Sequence, residues 1–225
     1  MRKFSKVTIG AATAALLVVG VIGASSAANA ASTSSVKAAS SSGIPAPVAA
    51  VPALKGGNTA VALDSNFLAA LKSLGLTPGT IGSATLDSGG SIHFPITGGD
   101  VVYWSPKGSY RPYVQGIILH SGSGLSLTAG ATKVELTNFT INPGNSILYG
   151  DVAVNGTVAA TQAPLFSLHG GTLKALKLQG NDAILTGTTV HVSSTAAGLL
   201  DKVFATTAVK AGLLVGVATI TAQIK

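Results

Sequence analysis

The chain has 225 residues, no cysteine and only 9% charged side chains, with 14 Lys and Arg against seven Asp and Glu. Disulfides therefore play no part in its stability, and its surface must be built largely from Ser, Thr, Asn and Gly. Three of the bases, Arg2, Lys3 and Lys6, lie in the first 30 residues, and the remaining 11 are scattered, Arg111 being the only arginine among them. That distribution excludes the clustered basic stripe on which nucleic-acid binding rests.

The N-terminus has a basic start, Met1 to Lys6, an apolar run from Val7 to Ile22, and small residues at Ala28 and Ala30. This pattern predicts a secretory signal peptide over residues 1–30, cut after Ala30; the alternative is an uncleaved membrane anchor, for which the apolar run is short and diluted by Gly and Ala. The mean hydropathy of +0.53 owes part of its value to this segment. Residues 31–57 are rich in Ser, Ala and Pro and show no hydrophobic period, which predicts an unstructured spacer. Ordered structure is then expected from Asn58 to the C-terminus as one domain.

Thr59 to Leu63 reads as a strand. Asp64 or Ser65 can cap a helix from Asn66 to Leu74, with Phe67, Leu68, Leu71 and Leu74 on one face and Gly75 ending it. Thr77-Pro-Gly-Thr reads as a turn, followed by a strand from Ile81 to Leu86. From Ser91 to Pro106 the pattern is strand, a tight turn at Gly98-Gly99, and a second strand carrying Tyr103 and Trp104. The loop Lys107 to Tyr113 then holds Tyr110, Arg111 and Tyr113. With aromatics at only 5% of the chain, this concentration marks either a loop pinned down by its rings or a binding surface.

From Tyr113 to His169, short β-branched runs alternate with turn signals about every ten residues, as in an antiparallel sheet protein. Asn155-Gly156 between two such runs predicts a two-residue hairpin, because a type I′ turn needs positive φ at both central residues. It would pair Val154 with Thr157 and Val152 with Ala159. Val134 and Leu136 have one parity, Phe139 and Ile141 the other, so an extra residue is expected near Thr137-Asn138. His120 and His169 are each expected to end a strand at a loop mouth, where binding groups tend to lie; His93 and His191 read as structural.

The end of the chain mirrors its beginning: a strand from Thr189 to Val192, a cap at Ser193 or Ser194, a helix from Ala196 to Thr206 and a strand from Leu213 to Ile220. Gly82-Ser-Ala-Thr-Leu and Gly216-Val-Ala-Thr-Ile are alike enough to suggest a repeated strand–helix–strand unit. The final apolar run is too short for a membrane anchor. No histidine has metal-ligand spacing, and no serine sits in a nucleophile elbow. Catalysis therefore has no support in the residues.

Phe94-Pro-Ile-Thr-Gly-Gly, His120-Ser-Gly-Ser-Gly-Leu, Val134-Glu-Leu-Thr-Asn-Phe-Thr-Ile and Pro164-Leu-Phe-Ser-Leu resemble the HtaA-like (haem-transport-associated) domains of exported actinobacterial proteins. The resemblance covers Asn58 to the C-terminus. It implies a β-rich domain with small helices that binds haem through a Tyr, assisted by a His, and His120 falls at the family's His position. The family's ligand Tyr belongs to a first helix bearing Trp and Tyr, and here Ala70 or Leu71 stands where it would be. A substitute donor would have to come from Tyr103, Tyr110, Tyr113 or His120, with Arg111 placed to pair with a propionate.

The sequence thus predicts a mainly β protein, an antiparallel β-sandwich-like domain with two short helices. It would be secreted, associated with the cell envelope and non-catalytic, and would bind haem, another small ligand or an envelope component. A mycolate-layer β-barrel pore and a secreted hydrolase are the alternatives; a barrel would need aromatic girdles, for which one Trp and four Tyr are few.

Overall fold

The β-branched runs become strands because their branched side chains fit a pleated, half-buried surface, and every strand pairing that results is antiparallel. The computed structural model describes residues 43–225, so the expected signal peptide and the first part of the spacer lie outside the described residues. The elements in chain order are β1 (Ala49–Val51), β2 (Gly56–Leu63), α1 (Ser65–Ser73), β3 (Thr77–Gly82), β4 (Thr85–Leu86), β5 (Ser91–Pro95), β6 (Gly98–Tyr103), β7 (Val114–Ala129) and β8 (Thr132–Asn142). Then follow β9 (Ile147–Val154), β10 (Thr157–His169), β11 (Lys177–Gln179), β12 (Asp182–Val192), α2 (Ser194–Val203) and β13 (Leu214–Gln223). The mainly β, antiparallel class with two short helices is the one the sequence predicts.

All the described strands belong to one sheet of order β1-β6-β7-β8-β9-β10-β12-β13-β2-β5-β4, with β3 paired to β7 and β11 to β12. β5 and β6 therefore lie near opposite ends of the order, yet only Ile96 and Thr97 separate them. Three Cα steps span at most about 11 Å, so the sheet has to curl until its two ends meet. The seam is hydrogen-bonded: the Ile96 amide donates to the Gly57 carbonyl (3.0 Å) and the Thr97 amide to the Leu119 carbonyl (2.8 Å). Gly98-Gly99 is consequently not a hairpin turn; both residues are in β6, opposite Leu119 and Ile118. Their lack of side chains is used there, because a Cβ on Gly99 (φ +123°) would lie 2.1 Å from the Ile117 carbonyl oxygen.

Three other expectations change for the same reason, non-local pairing. Thr77 to Thr80, read as a turn, lies in β3 and pairs with Thr128 to Leu125 of β7. β7 also runs unbroken through Ser121 to Gly124, where a loop was expected, with a register irregularity between His120 and Gly124. The strand–helix–strand order recurs as β2-α1-β3 and β12-α2-β13, but the two matched glycines are placed differently: Gly82 closes β3, whereas Gly216 lies inside β13 opposite Leu63.

The local signals hold better. Asp64 caps α1 by accepting from the amides of Asn66 (2.9 Å) and Phe67 (3.1 Å), and Ser193 caps α2 through the Ala196 amide. Asn155 (φ 49°) and Gly156 (φ 79°) make the expected hairpin turn. Val154 pairs with Thr157, but Val152 faces Ala160 rather than Ala159, since an irregularity follows Val158. The inserted residue near Thr137-Asn138 is present as well. Asn138 has φ 52°, and the register shifts between Thr137 and Thr140, so that Val134, Leu136, Phe139 and Ile141 are all buried.

The main core fills the curl and is closed by the helices: Val134, Val152 and Leu165 are fully buried, with Leu71 of α1 and Ala196, Ala197 and Leu200 of α2 packed over them. A second, smaller cluster contains Leu54, Ile96, Ile118, Ile141 and Ala222. Leu54 is 7% exposed, its amide donates to the Gly99 carbonyl, and β1 pairs with β6. The structured part of the chain thus begins before Asn58, and residues 49–57, expected as spacer, are part of the fold.

Candidate functional site

The strand β6 ends at Tyr103, and the chain returns to β7 through a loop that its own side chains hold together. The Trp104 amide donates to the Tyr113 carbonyl at 2.7 Å, closing the base of the loop. The Trp104 indole is buried, donates from Nε1 to the Pro45 carbonyl at 2.7 Å, and packs on Tyr110 with ring centroids 4.8 Å apart. Arg111 donates from Nη1 to the Gly108 and Tyr110 carbonyls and from Nη2 to the Pro106 carbonyl. That uses three of its five N–H donors and leaves two. The guanidinium carbon lies 5.5 Å from the centre of the Tyr113 ring, a cation–π arrangement. The peptide bond between Arg111 and Pro112 is cis.

Tyr113 also meets Tyr103 edge to face, with centroids 6.0 Å apart. Burial, and secondarily the neighbouring Tyr113, raises the pKa of the Tyr103 phenol, which opposes formation of a tyrosinate there. Of the five residues named by the sequence, Tyr103, Tyr110, Arg111 and Tyr113 are therefore brought together by one loop. His120 is not with them.

Behind the Arg111–Tyr113 corner a cleft of about 370 Å³ opens. The loop supplies Arg111, Pro112 and Tyr113, and the adjoining strands β7 and β8 supply Val114, Ile118 and Ile141. The opposite wall comes from much later in the chain: Leu168 is near the end of β10, Gly170 and Leu173 lie in the segment that follows it, and Leu185, Thr188 and Ile220 come from β12 and β13. Ile118 and Ile141 belong to the second core cluster and Leu168 and Ile220 pack against it, so this cluster is the floor of the cleft. Among the described residues no carboxylate lines it, and Arg111 is its single charged side chain. Sequence reasoning missed the far wall because those residues carry no local mark and meet Arg111 and Tyr113 only through the curl of the sheet.

His120 sits in the middle of β7 at 1% exposure rather than at a loop mouth. Its Nε2 is 2.8 Å from the Thr59 hydroxyl oxygen, and Nδ1, although buried, has no hydrogen-bond partner. It borders an internal cavity of about 40 Å³ whose walls include Val61, Phe94, Phe139 and Phe166. Burial lowers its pKa to about 4, the Phe139 backbone pulling weakly the other way. His169 and His191 stack with centroids 4.3 Å apart, and His191 is occupied at both nitrogens, by the Gly212 carbonyl and the Thr189 hydroxyl. Among the described residues no group of three or more His, Cys, Asp or Glu is placed to hold a metal.

No protein-family model and no curated protein sequence matches the chain. Solved structures do. The C-terminal domain of HtaA from Corynebacterium glutamicum is 13% identical, and the match covers 77% of this chain and 99% of that one with a TM-score of 0.52. The heme binding protein HtaB from the same organism is 12% identical over 78% and 96% of the two chains, with a TM-score of 0.45. A domain-swapped dimer of a histidine-to-alanine variant of the HtaA domain is 14% identical over 72% and 92%, with a TM-score of 0.43. At these identities the likeness is one of architecture, and the chain is built on the fold of the HtaA C-terminal domain.

Proposed function

We propose that this chain is an exported, non-catalytic envelope domain that holds a small, largely apolar ligand in the cleft behind Tyr113. The observation that carries the reading is the cleft itself. Its volume of about 370 Å³ lies in the range of small-molecule sites, which are mostly apolar with a few placed polar groups. It would hold roughly a dozen waters, and waters against such walls find few of the partners they need. An apolar ligand that displaces them is favoured. The signal-peptide pattern of residues 1–30 supports export.

Haem is the second reading, and it meets a specific obstacle. An oxygen-donor axial ligand works best as a tyrosinate, which needs a neighbouring group to stabilise it. The helix α1 offers Ala70 and Leu71 at the position that resembles the family's Tyr, and these border a pocket of about 70 Å³ whose walls are almost wholly apolar. In the cleft, Tyr113 has a phenol, but His120 is bonded to Thr59 and is not among the cleft's walls. The residues present do not assemble a tyrosine–histidine axial set.

Two titrations of the purified protein separate the readings. Nile red, an uncharged apolar dye, is expected to bind saturably at one equivalent and to be lost in Leu173→Trp, which pushes a larger ring into the cleft from its far wall. Absence of saturable binding, or binding that Leu173→Trp leaves intact, overturns the cleft reading. Hemin is expected to give a spectrum close to that of the free compound. A saturable Soret shift at one equivalent, lost in a folded Tyr113→Ala variant, would instead establish haem as the ligand.

A further inference from the structure

The cleft has one charged residue, and its position specifies more than an apolar ligand. We infer that the site takes a single-chain amphiphile with an anionic head, such as a long-chain carboxylate, its chain on the second core cluster and its head at Arg111. This rests on the cleft being the ligand site.

Three observations converge. The floor, Ile118, Ile141, Leu168 and Ile220, belongs to or packs against an existing hydrophobic cluster, so an alkyl chain laid along it extends that cluster rather than making a separate contact. Among the described residues Thr188 and Ser146 are the only hydroxylated side chains in the walls besides Tyr113, too few to satisfy a sugar or a peptide, whose buried polar groups each require a partner. At the rim, Arg111 is fixed by the carbonyls of Pro106, Gly108 and Tyr110 and by the face of Tyr113. Its two unused N–H donors are thus pre-positioned, and guanidinium donors match a carboxylate or phosphate closely. With no acid in the walls, an anion there meets no repulsion.

The loop's rigidity also matters. Arg111 would lose little side-chain freedom on binding, because its carbonyl bonds already hold it, and the cost of ordering a long side chain is otherwise substantial. A neutral chain would gain the floor but not the head contact.

The test uses cis-parinaric acid, a fluorescent long-chain carboxylate, against its methyl ester, both below their aggregation concentrations. The acid is expected to bind the purified protein at one equivalent, at least tenfold tighter than the ester. Arg111→Gln should bring the acid down to the ester's affinity. Arg111→Lys, which keeps the charge but cannot bridge the three carbonyls, should retain part of the preference. Leu173→Trp should abolish binding of both, with circular dichroism and urea midpoints confirming that each variant folds. Equal binding of acid and ester, both lost in Leu173→Trp, would overturn the anionic-head inference and leave the apolar cleft standing. Acid preference unaffected by Arg111→Gln would also overturn it, and binding of neither probe would overturn both.

Discussion

Inside the curled sheet the imidazole of His120 has one hydrogen-bond partner, the Thr59 hydroxyl, and aromatic and aliphatic side chains elsewhere; none of its cavity's walls is charged. A proton there has nothing to balance it, and burial therefore pulls the pKa down to about 4. The sign of the consequence follows. The unfolded chain, with an ordinary histidine, binds the proton more readily than the folded one, so stability is full above the unfolded value and falls as pH drops from about 6.5 to about 4. Between pH 7 and pH 5 this one residue should cost roughly 2 kcal/mol of unfolding free energy. Urea unfolding at the two pH values measures it, and in His120→Phe the pH dependence should flatten by that amount. An unchanged slope would mean that the imidazole is charged without penalty. The sequence marked this histidine but read its place wrongly, because Ser-Gly-Ser-Gly normally signals a loop and nothing local shows that β3 pairs across it.

At the level of elements, the line of irregularities across β7, β8 and β10 gathers on Asp151 of β9. Its carboxylate accepts from Asn138 Nδ2 (2.9 Å) and from the Gln162 amide (2.8 Å), and Asn138 in turn accepts from the Gly122 amide (2.9 Å). Asn138 and Gln162 both have positive φ, 52° and 44°, conformations that cost most L-residues about 1–2 kcal/mol. The Asn138 bond holds the Asp151 carboxyl below the usual carboxylate range, so its contribution is present at neutral pH and is lost as acid protonates it. Asn138→Ala should therefore destabilise the fold by about 1 kcal/mol more than Asn138→Gly, since glycine spares the backbone strain while losing the same bonds. Chemical denaturation of the pair decides it; equal losses would mean that the backbone at 138 relaxes. This inserted residue was legible from the parity change between Val134 and Phe139, and so were both helix caps and the Asn155-Gly156 turn, all of them local signals. The pairing partners were not. Gly98-Gly99 looks like a turn until β6 is known to pair with β7, and Arg111 and Tyr113 were visible as part of an aromatic loop, while the far wall of the cleft they border, at Leu185, Thr188 and Ile220, carries no local mark.

For the whole molecule, the decisive feature is that a curled sheet must be closed, and the residues just before β2 help to close it. β1 extends the sheet beside β6, the Lys55 amide donates to the Gln223 carbonyl at 2.9 Å, and the Trp104 indole reaches back to Pro45. Leu54 then enters the second cluster, next to the Ile96 and Ile118 that abut the seam. Burying a leucine side chain is worth about 2–3 kcal/mol, and Leu54→Ala, which leaves a void as well, should cost about 2–4 kcal/mol. A chain beginning at Asn58, where composition alone would start the domain, loses this leucine, β1 and the Trp104 anchor together. It should therefore unfold at clearly lower urea than one beginning at Gly43. Because the same cluster floors the cleft, the shorter chain should also bind Nile red less tightly, and Leu54→Ala should show a smaller loss of the same kind. Equal unfolding midpoints for the two lengths would mean that residues 43–57 only decorate the sheet. A loss of stability without a loss of dye binding would separate the seam from the cleft, and the shared cluster could then not be what couples them.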